Sequence, residues 1–187
     1  MICDSPTRGH SNPTSCYSSV TLPDKALCLE LTEPLPRTWY PLLWEWIQEH
    51  PEAHLDDTVT RELSAFVAEM TRRQGQGERS WGVWVDGAPA GAIGYAALSD
   101  RVGMLHGVCI SRRVKGQGVA DAALTAVLEQ LGREGVRKVS ASYFTDNAHI
   151  RACLKRLGFV DEGFLQDHTL RGGLPVSLWL VAKMVKG

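Results

Sequence analysis

Three cations, Arg112, Arg113 and Lys115, stand beside two glycines, Gly116 and Gly118, in one short stretch of the chain. A strand over residues 104–110 precedes them, and a long amphipathic helix follows from about Gln117. First-turn amides of a helix are unpaired, and with the helix dipole they favour a bound anion. Glycine lets a phosphate approach those amides because no Cβ stands in the way. The chemistry suggested is phosphate or pyrophosphate binding. Two rival phosphate loops fail on the letters. A dinucleotide fingerprint needs a third glycine where Asp121 stands, and a carboxylate there would repel phosphate. The nucleotide-triphosphatase loop needs Gly-Lys-Ser/Thr, whereas Gly118 is followed by Val119 and Ala120.

The elements that must hold this loop follow from hydrophobic period. Residues 26–31 alternate as a strand, and Pro34 and Pro36 force a break after it. Tyr40, Leu43, Trp46 and Ile47 predict one helix; Val59, Leu63, Phe66, Val67 and Met70 predict a second, with Asp56 and Asp57 as capping candidates. Residues 81–85 and 90–97 read as two strands joined by a tight turn at Asp86-Gly87. The helix over residues 117–133 carries Val119, Ala122, Ala123, Ala126, Val127 and Leu131 on one face, widened by Leu124 and Leu128. A strand over 138–144, a helix over 148–157 and strands near 159–164 and 178–185 complete the order β-α-α-β-β-β-α-β-α-β-β.

Composition narrows the class. A chain of 187 residues with 44 % hydrophobic content can bury one core. We expect a single domain over residues 25–187, preceded by a flexible extension over 1–24 that is rich in Ser, Thr and Pro. A formal charge of −1 and no block of like charges argue against a nucleic-acid partner. The five cysteines are odd in number and widely spaced, which suits thiols in a reducing compartment, and no Cys/His cluster has zinc-ligand spacing. No secretory h-region and no bilayer-length apolar run is present, so we expect a soluble cytoplasmic protein without membrane or metal partners.

The stretch Arg113-Val114-Lys115-Gly116-Gln117-Gly118 resembles the Q/R-x-x-G-x-G/A signature of the GNAT acetyltransferase superfamily. A second segment, from Asn147 opening a helix to Leu157-Gly158-Phe159 closing it, resembles the later motif of the same family. Gly163 and the segment from Arg171 to Leu180 are similar to the branch containing the Rim-type N-terminal acetyltransferases. The resemblance implies an α/β fold (an α+β mixed sheet): a central twisted sheet of about six to seven strands, helices on both faces, splayed between the fourth and fifth strands. It implies acetyl-CoA as co-substrate and a primary amine, on a small molecule or a protein N-terminus, as acceptor, with direct attack in a ternary complex. A homodimer is left open.

Carried over residue by residue, the resemblance puts Val108, Cys109 and Ile110 along the pantetheine arm. Arg113, Val114, Lys115, Gly116, Gln117, Gly118 and Val119 surround the pyrophosphate, with Asn147 on the pantetheine and Arg151 near the phosphate end. His106 lies four residues before Ile110, so strand alternation puts it on the same face as Val108 and Ile110. Its imidazole is either the base that takes the ammonium proton or a strand histidine satisfied locally. The acid that protonates the departing thiolate has no counterpart: relatives carry Tyr where Leu154 stands, or Ser where Ile150 stands. Cys153 and His149 are nearby. The alternative to an enzyme is a coenzyme A-binding regulatory module of the same fold.

Overall fold

A computed structural model describes residues 15–21, 27–50 and 62–185. Asp56, Asp57 and Val59, expected at the start of the second helix, lie outside the described residues. The elements are β1 (Ser15–Thr21), β2 (Cys28–Glu33), α1 (Tyr40–Gln48), α2 (Leu63–Gly75), β3 (Arg79–Val85), β4 (Ala88–Ser99), β5 (Val102–Ile110), α3 (Val119–Arg133), β6 (Lys138–Phe144), α4 (Ala148–Arg156), β7 (Val160–Arg171) and β8 (Leu174–Met184). The strands form one sheet in the order β1-β2-β3-β4-β5-β6-β8-β7. All neighbours are antiparallel except β5 and β6, which run parallel.

Seven of the eight strands, β2 to β8, are those expected from the sequence. The additional one is β1, which pairs with β2 from Ser15↔Glu33 to Thr21↔Cys28 inside the segment expected to be extension. Its sequence, Ser-Cys-Tyr-Ser-Ser-Val-Thr, lacks clean alternation, so only the open edge of β2 reveals it as a strand. The turn between β3 and β4 is as expected: Asp86 and Gly87 both hold positive φ, 51° and 72°, the conformation of a two-residue hairpin. The last two strands are longer than expected because a second such turn, at Gly172-Gly173, joins them directly.

Two apolar layers sandwich the sheet. On one face α3 and α4 bury Val119, Leu124, Val127, Leu131 and Leu154 against Val83, Ile93, Leu105 and Val139. Each fully buried Leu there contributes roughly 1.5–3 kcal/mol. On the other face α1 and α2 bury Tyr40, Leu43, Trp46 and Phe66 against Ala92 and Cys109. Trp39 and Trp84 meet edge to face there, with ring centroids 4.5 Å apart. Among the described residues no helix is long and apolar enough to cross a membrane.

A half-buried polar network ties α3 to the strands beside it. Arg79 donates from Nε to Glu33 at 2.6 Å and from Nη1 to Glu134 at 2.5 Å, and its guanidinium lies 4.9 Å over the Trp81 ring. Gln130 accepts from Trp81 Nε1 at 3.1 Å and donates to both carboxylates. These bonds raise the Arg79 pKa above its ordinary value and lower that of Glu134, so the ionised forms are the ones the fold selects. Arg79→Met leaves two carboxylates facing each other without a cation. We expect it to lower the unfolding free energy by about 2 kcal/mol, less than for a fully buried pair because all three groups keep some solvent. Urea denaturation measures the loss.

Candidate functional site

The parallel ladder between β5 and β6 holds only three pairs, Val102↔Lys138, Gly103↔Val139 and Met104↔Ser140. Past Met104 the two strands separate, although β5 continues to Ile110 and β6 to Phe144. The edge of β5 from Leu105 to Ile110 therefore has no strand beside it on that side. A cavity of about 550 Å³ fills the gap and reaches the start of α3.

A bulge on β5 shapes that edge. Ala92 pairs with Cys109 and Gly94 with His106, so Gly107 and Val108 together oppose Ile93. Gly107 holds φ +56°, the left-handed conformation that places glycine at such bulges. The additional residue inverts the alternation beyond it. Leu105, Val108 and Ile110 pack with the α3 side of the core, whereas Cys109 packs with α1 and α2. His106, which precedes the bulge, stands on the face opposite Val108 and Ile110. The expectation from strand period that all three share a face is thus corrected, because a strand period of two holds only where no residue is inserted.

His106 remains a cavity-lining residue. Its Nε2 lies 3.3 Å from Glu78 Oε2, within ion-pair reach but without hydrogen-bond alignment, and its side chain is 28 % exposed. Burial lowers the His106 pKa, the Glu78 carboxylate opposes that shift, and Arg73 adds to it. The net direction is downward, so the imidazole is neutral at pH 7.

The glycine loop closes one end of the cavity. Ser111 caps the short 3-10 turn Arg112–Val114, its Oγ accepting from the Arg113 amide at 3.3 Å. Gly116 and Gly118 then take φ +76° and +77°, a reversal that residues with a Cβ resist, and Gly118 becomes the N-cap of α3. The helix thus starts at Val119, two positions beyond Gln117, where apolar spacing had begun it. Val108, Cys109, Ile110, Val114 and Lys115 line the cavity, as do Gly116, Gly118, Val119 and Asn147. Asn147 also caps α4, its Oδ1 accepting from the Ile150 amide at 3.2 Å. Arg113, Gln117 and Arg151 are not in the wall. Arg113 donates to the Pro89 carbonyl at 2.9 Å, Gln117 donates to the Arg113 carbonyl at 3.3 Å, and Arg151 hydrogen-bonds Tyr143.

The profile of the acetyltransferase (GNAT) family matches residues 33–159, well over half of the chain, including β5, the glycine loop and α4. The chain belongs to the GNAT family. Over 79 residues it is 30 % identical to the L-amino acid N-acetyltransferase AaaT of Escherichia coli K12, a match covering 42 % of this chain and 49 % of that protein. The chain therefore aligns with about half the length of that relative. In structure it is similar to RimL, a ribosomal L7/L12 α-N-protein acetyltransferase, in its apo form: TM-score 0.76 at 17 % identity over 96 % of this chain and 99 % of that one. It is also similar to yncA of Salmonella typhimurium, an acetyltransferase solved with acetyl-CoA: TM-score 0.67 at 15 % identity over 82 % and 93 %.

Against the GNAT pattern two positions stand out. Leu154 and Ile150, where relatives offer hydroxyl groups, both face the cavity and carry no labile proton. The cavity thiols are protonated instead. Burial, with Glu49 adding to it, pushes Cys109 up to about 12, and burial with a hydrogen bond to Asp121 pushes Cys153 up to about 12. Sequence reading missed Glu78, which lies 28 positions from His106 and reaches it only because Ser80, Gly94 and His106 align across three strands. It also missed Arg156 of α4, which lines the cavity and pairs with Asp121.

The His106 environment gives a direct test. An NMR titration of His106 should yield a pKa below the ordinary 6.5, and Glu78→Gln should lower it further by removing the carboxylate that opposes the shift. Because the folded pKa is the lower one, the stability this site contributes is complete above pH 6.5. It is lost as pH falls through the folded value.

Proposed function

We propose that this chain is an N-acetyltransferase that moves an acetyl group from acetyl-CoA to a primary amine on a small molecule or a protein N-terminus. The observation that carries the reading is the three-pair ladder, which leaves a strand edge open along a cavity that ends at helix amides. The fit of coenzyme A is supported by both halves of that site. The β5 edge offers backbone groups in the extended conformation that an amide-bearing arm can pair with, and the loop offers unblocked amides beside Lys115 for a pyrophosphate. Val108, Cys109 and Ile110 would hold the arm. Gly116, Gly118 and Val119 would hold the phosphates through their backbone, with Asn147 on the facing helix.

Bound acetyl-CoA supplies an activated thioester. The protein's own part is to position it, exclude water and accept a proton. Holding two reactants in register lowers the barrier by several kcal/mol, so few catalytic side chains are needed. Cys109 and Cys153, protonated up to about 12, are poor nucleophiles, which favours direct attack by the amine over an acyl-enzyme. His106, neutral at pH 7 and facing the α1/α2 side, takes the ammonium proton directly or through water. Glu78 orients it. The buried thiols Cys109 and Cys153 suit a reducing compartment, and we place the activity in the cytoplasm.

Thiol release measured over a panel of amino acids, small amines and N-terminal peptides tests the activity. Turnover with at least one acceptor is expected; coenzyme A binding with no turnover anywhere would reduce the reading to a binding module. With an accepted amine, His106→Gln should lower kcat/KM about a hundredfold at pH 7 and abolish the acidic limb of the pH profile, which in the wild type lies below the ordinary histidine range. An unchanged profile removes His106 as the base. Gly118→Val should raise the KM for acetyl-CoA with little change in kcat, since it blocks phosphate approach and strains a positive φ.

A further inference from the structure

Asp121 is out of place in an anion site. It stands in the first turn of α3, lines the cavity, and carries the charge that a bound phosphate would meet at close range. The structure resolves the conflict through α4. Arg156 donates from Nε to Asp121 Oδ2 at 2.8 Å and from Nη2 to Oδ1 at 3.0 Å, a two-point fork that neutralises the carboxylate. The Cys153 thiol bonds the same carboxylate.

The pair does little for stability. The Arg156 side chain is 60 % exposed and that of Asp121 32 %, and exposed pairs of this kind contribute little to folding. Geometry gives it another use. A guanidinium has five N–H donors, and the fork occupies two. Nη1 and the remaining Nη2 hydrogen make no bond to the described residues, and the group lines the same cavity as Lys115, Gly116 and Gly118. Asp121 thus fixes the plane and position of an exposed cation that keeps unused donors beside the first turn of α3.

We propose that Arg156 contacts a phosphate of the donor and that Asp121 is its positioning residue. This rests on the coenzyme A reading above. The shared chemistry is a phosphate dianion or diester; the pyrophosphate and the 3′-phosphate are its two sources on that ligand.

Calorimetric binding of coenzyme A and of dephospho-coenzyme A, which lacks the 3′-phosphate, to the full chain tests it without reference to turnover. Arg156→Gln should weaken coenzyme A about ten- to a hundredfold, the range for one charge-assisted contact. A merely neutralising role predicts that the double variant D121N/R156Q recovers wild-type affinity. A contact role predicts that it stays about tenfold weaker, because the donors are gone. A penalty that disappears with dephospho-coenzyme A assigns the contact to the 3′-phosphate; a retained penalty assigns it to the pyrophosphate. Wild-type affinity in R156Q, or full recovery in the double variant, overturns the proposal. Failure of the wild-type chain to bind coenzyme A would instead overturn the reading on which it rests. The melting temperature of each unliganded variant confirms that the fold is intact.

Discussion

Three strand pairs hold β5 to β6, and the site depends on there being no more. A parallel ladder carried to its full length would satisfy every backbone group along that edge and leave no room between the strands. Its early end is enforced from both sides. On one side β4 grips β5 through a bulged register, and on the other β8 pairs with β6 at seven consecutive positions from Lys138 to Phe144. Each strand thus stays paired with its outer neighbour over the length along which it has parted from the other. The gap is a property of the whole sheet rather than of the residues that line it.

Electrostatics divides the gap into two environments. At the loop, unpaired amides, Lys115 and the Asp121–Arg156 fork make a place for negative charge whose one carboxylate is already balanced. Near the bulge, burial dominates. His106 loses its proton more easily than usual and the Cys109 thiol holds its own more tightly. Both shifts favour neutral side chains where an amine would meet a carbonyl, and both arise from the same scarcity of water. One end of the cavity is thus charged and the other neutral.

Local signals made much of this readable from residue order. Asp86-Gly87 declares a turn with two positive φ angles, the Leu/Val/Ala face of α3 declares burial, and the Gly116–Gly118 pair declares a helix start. Each acts over a few residues, so the letters suffice. What escaped acts between elements. The inserted residue at Gly107-Val108 is visible only against β4, and it moved His106 to the other face. Glu78 and Arg156 become site residues through sheet register and helix packing, and β1 exists because β2 offers an edge. Gly172-Gly173 carried a turn signal, yet the polar run from Gln166 to Thr169 hid the strand leading into it.

With so few hydrogen bonds across the seam, the two halves of the sheet are joined chiefly by side chains. The core beneath α3 includes Leu29, Val83 and Ile93 from one half and Val139, Ala141 and Val181 from the other. The helix is therefore a clasp laid across a weak lateral joint, and its first turn closes one end of the cavity. Any ligand seated there adds to the clasp at one end and braces the open strand edge at the other, so it completes the lateral continuity that the backbone leaves unfinished. In mechanical terms the seam is where the sheet shears most easily, and a ligand lying along it would act as a crossbar.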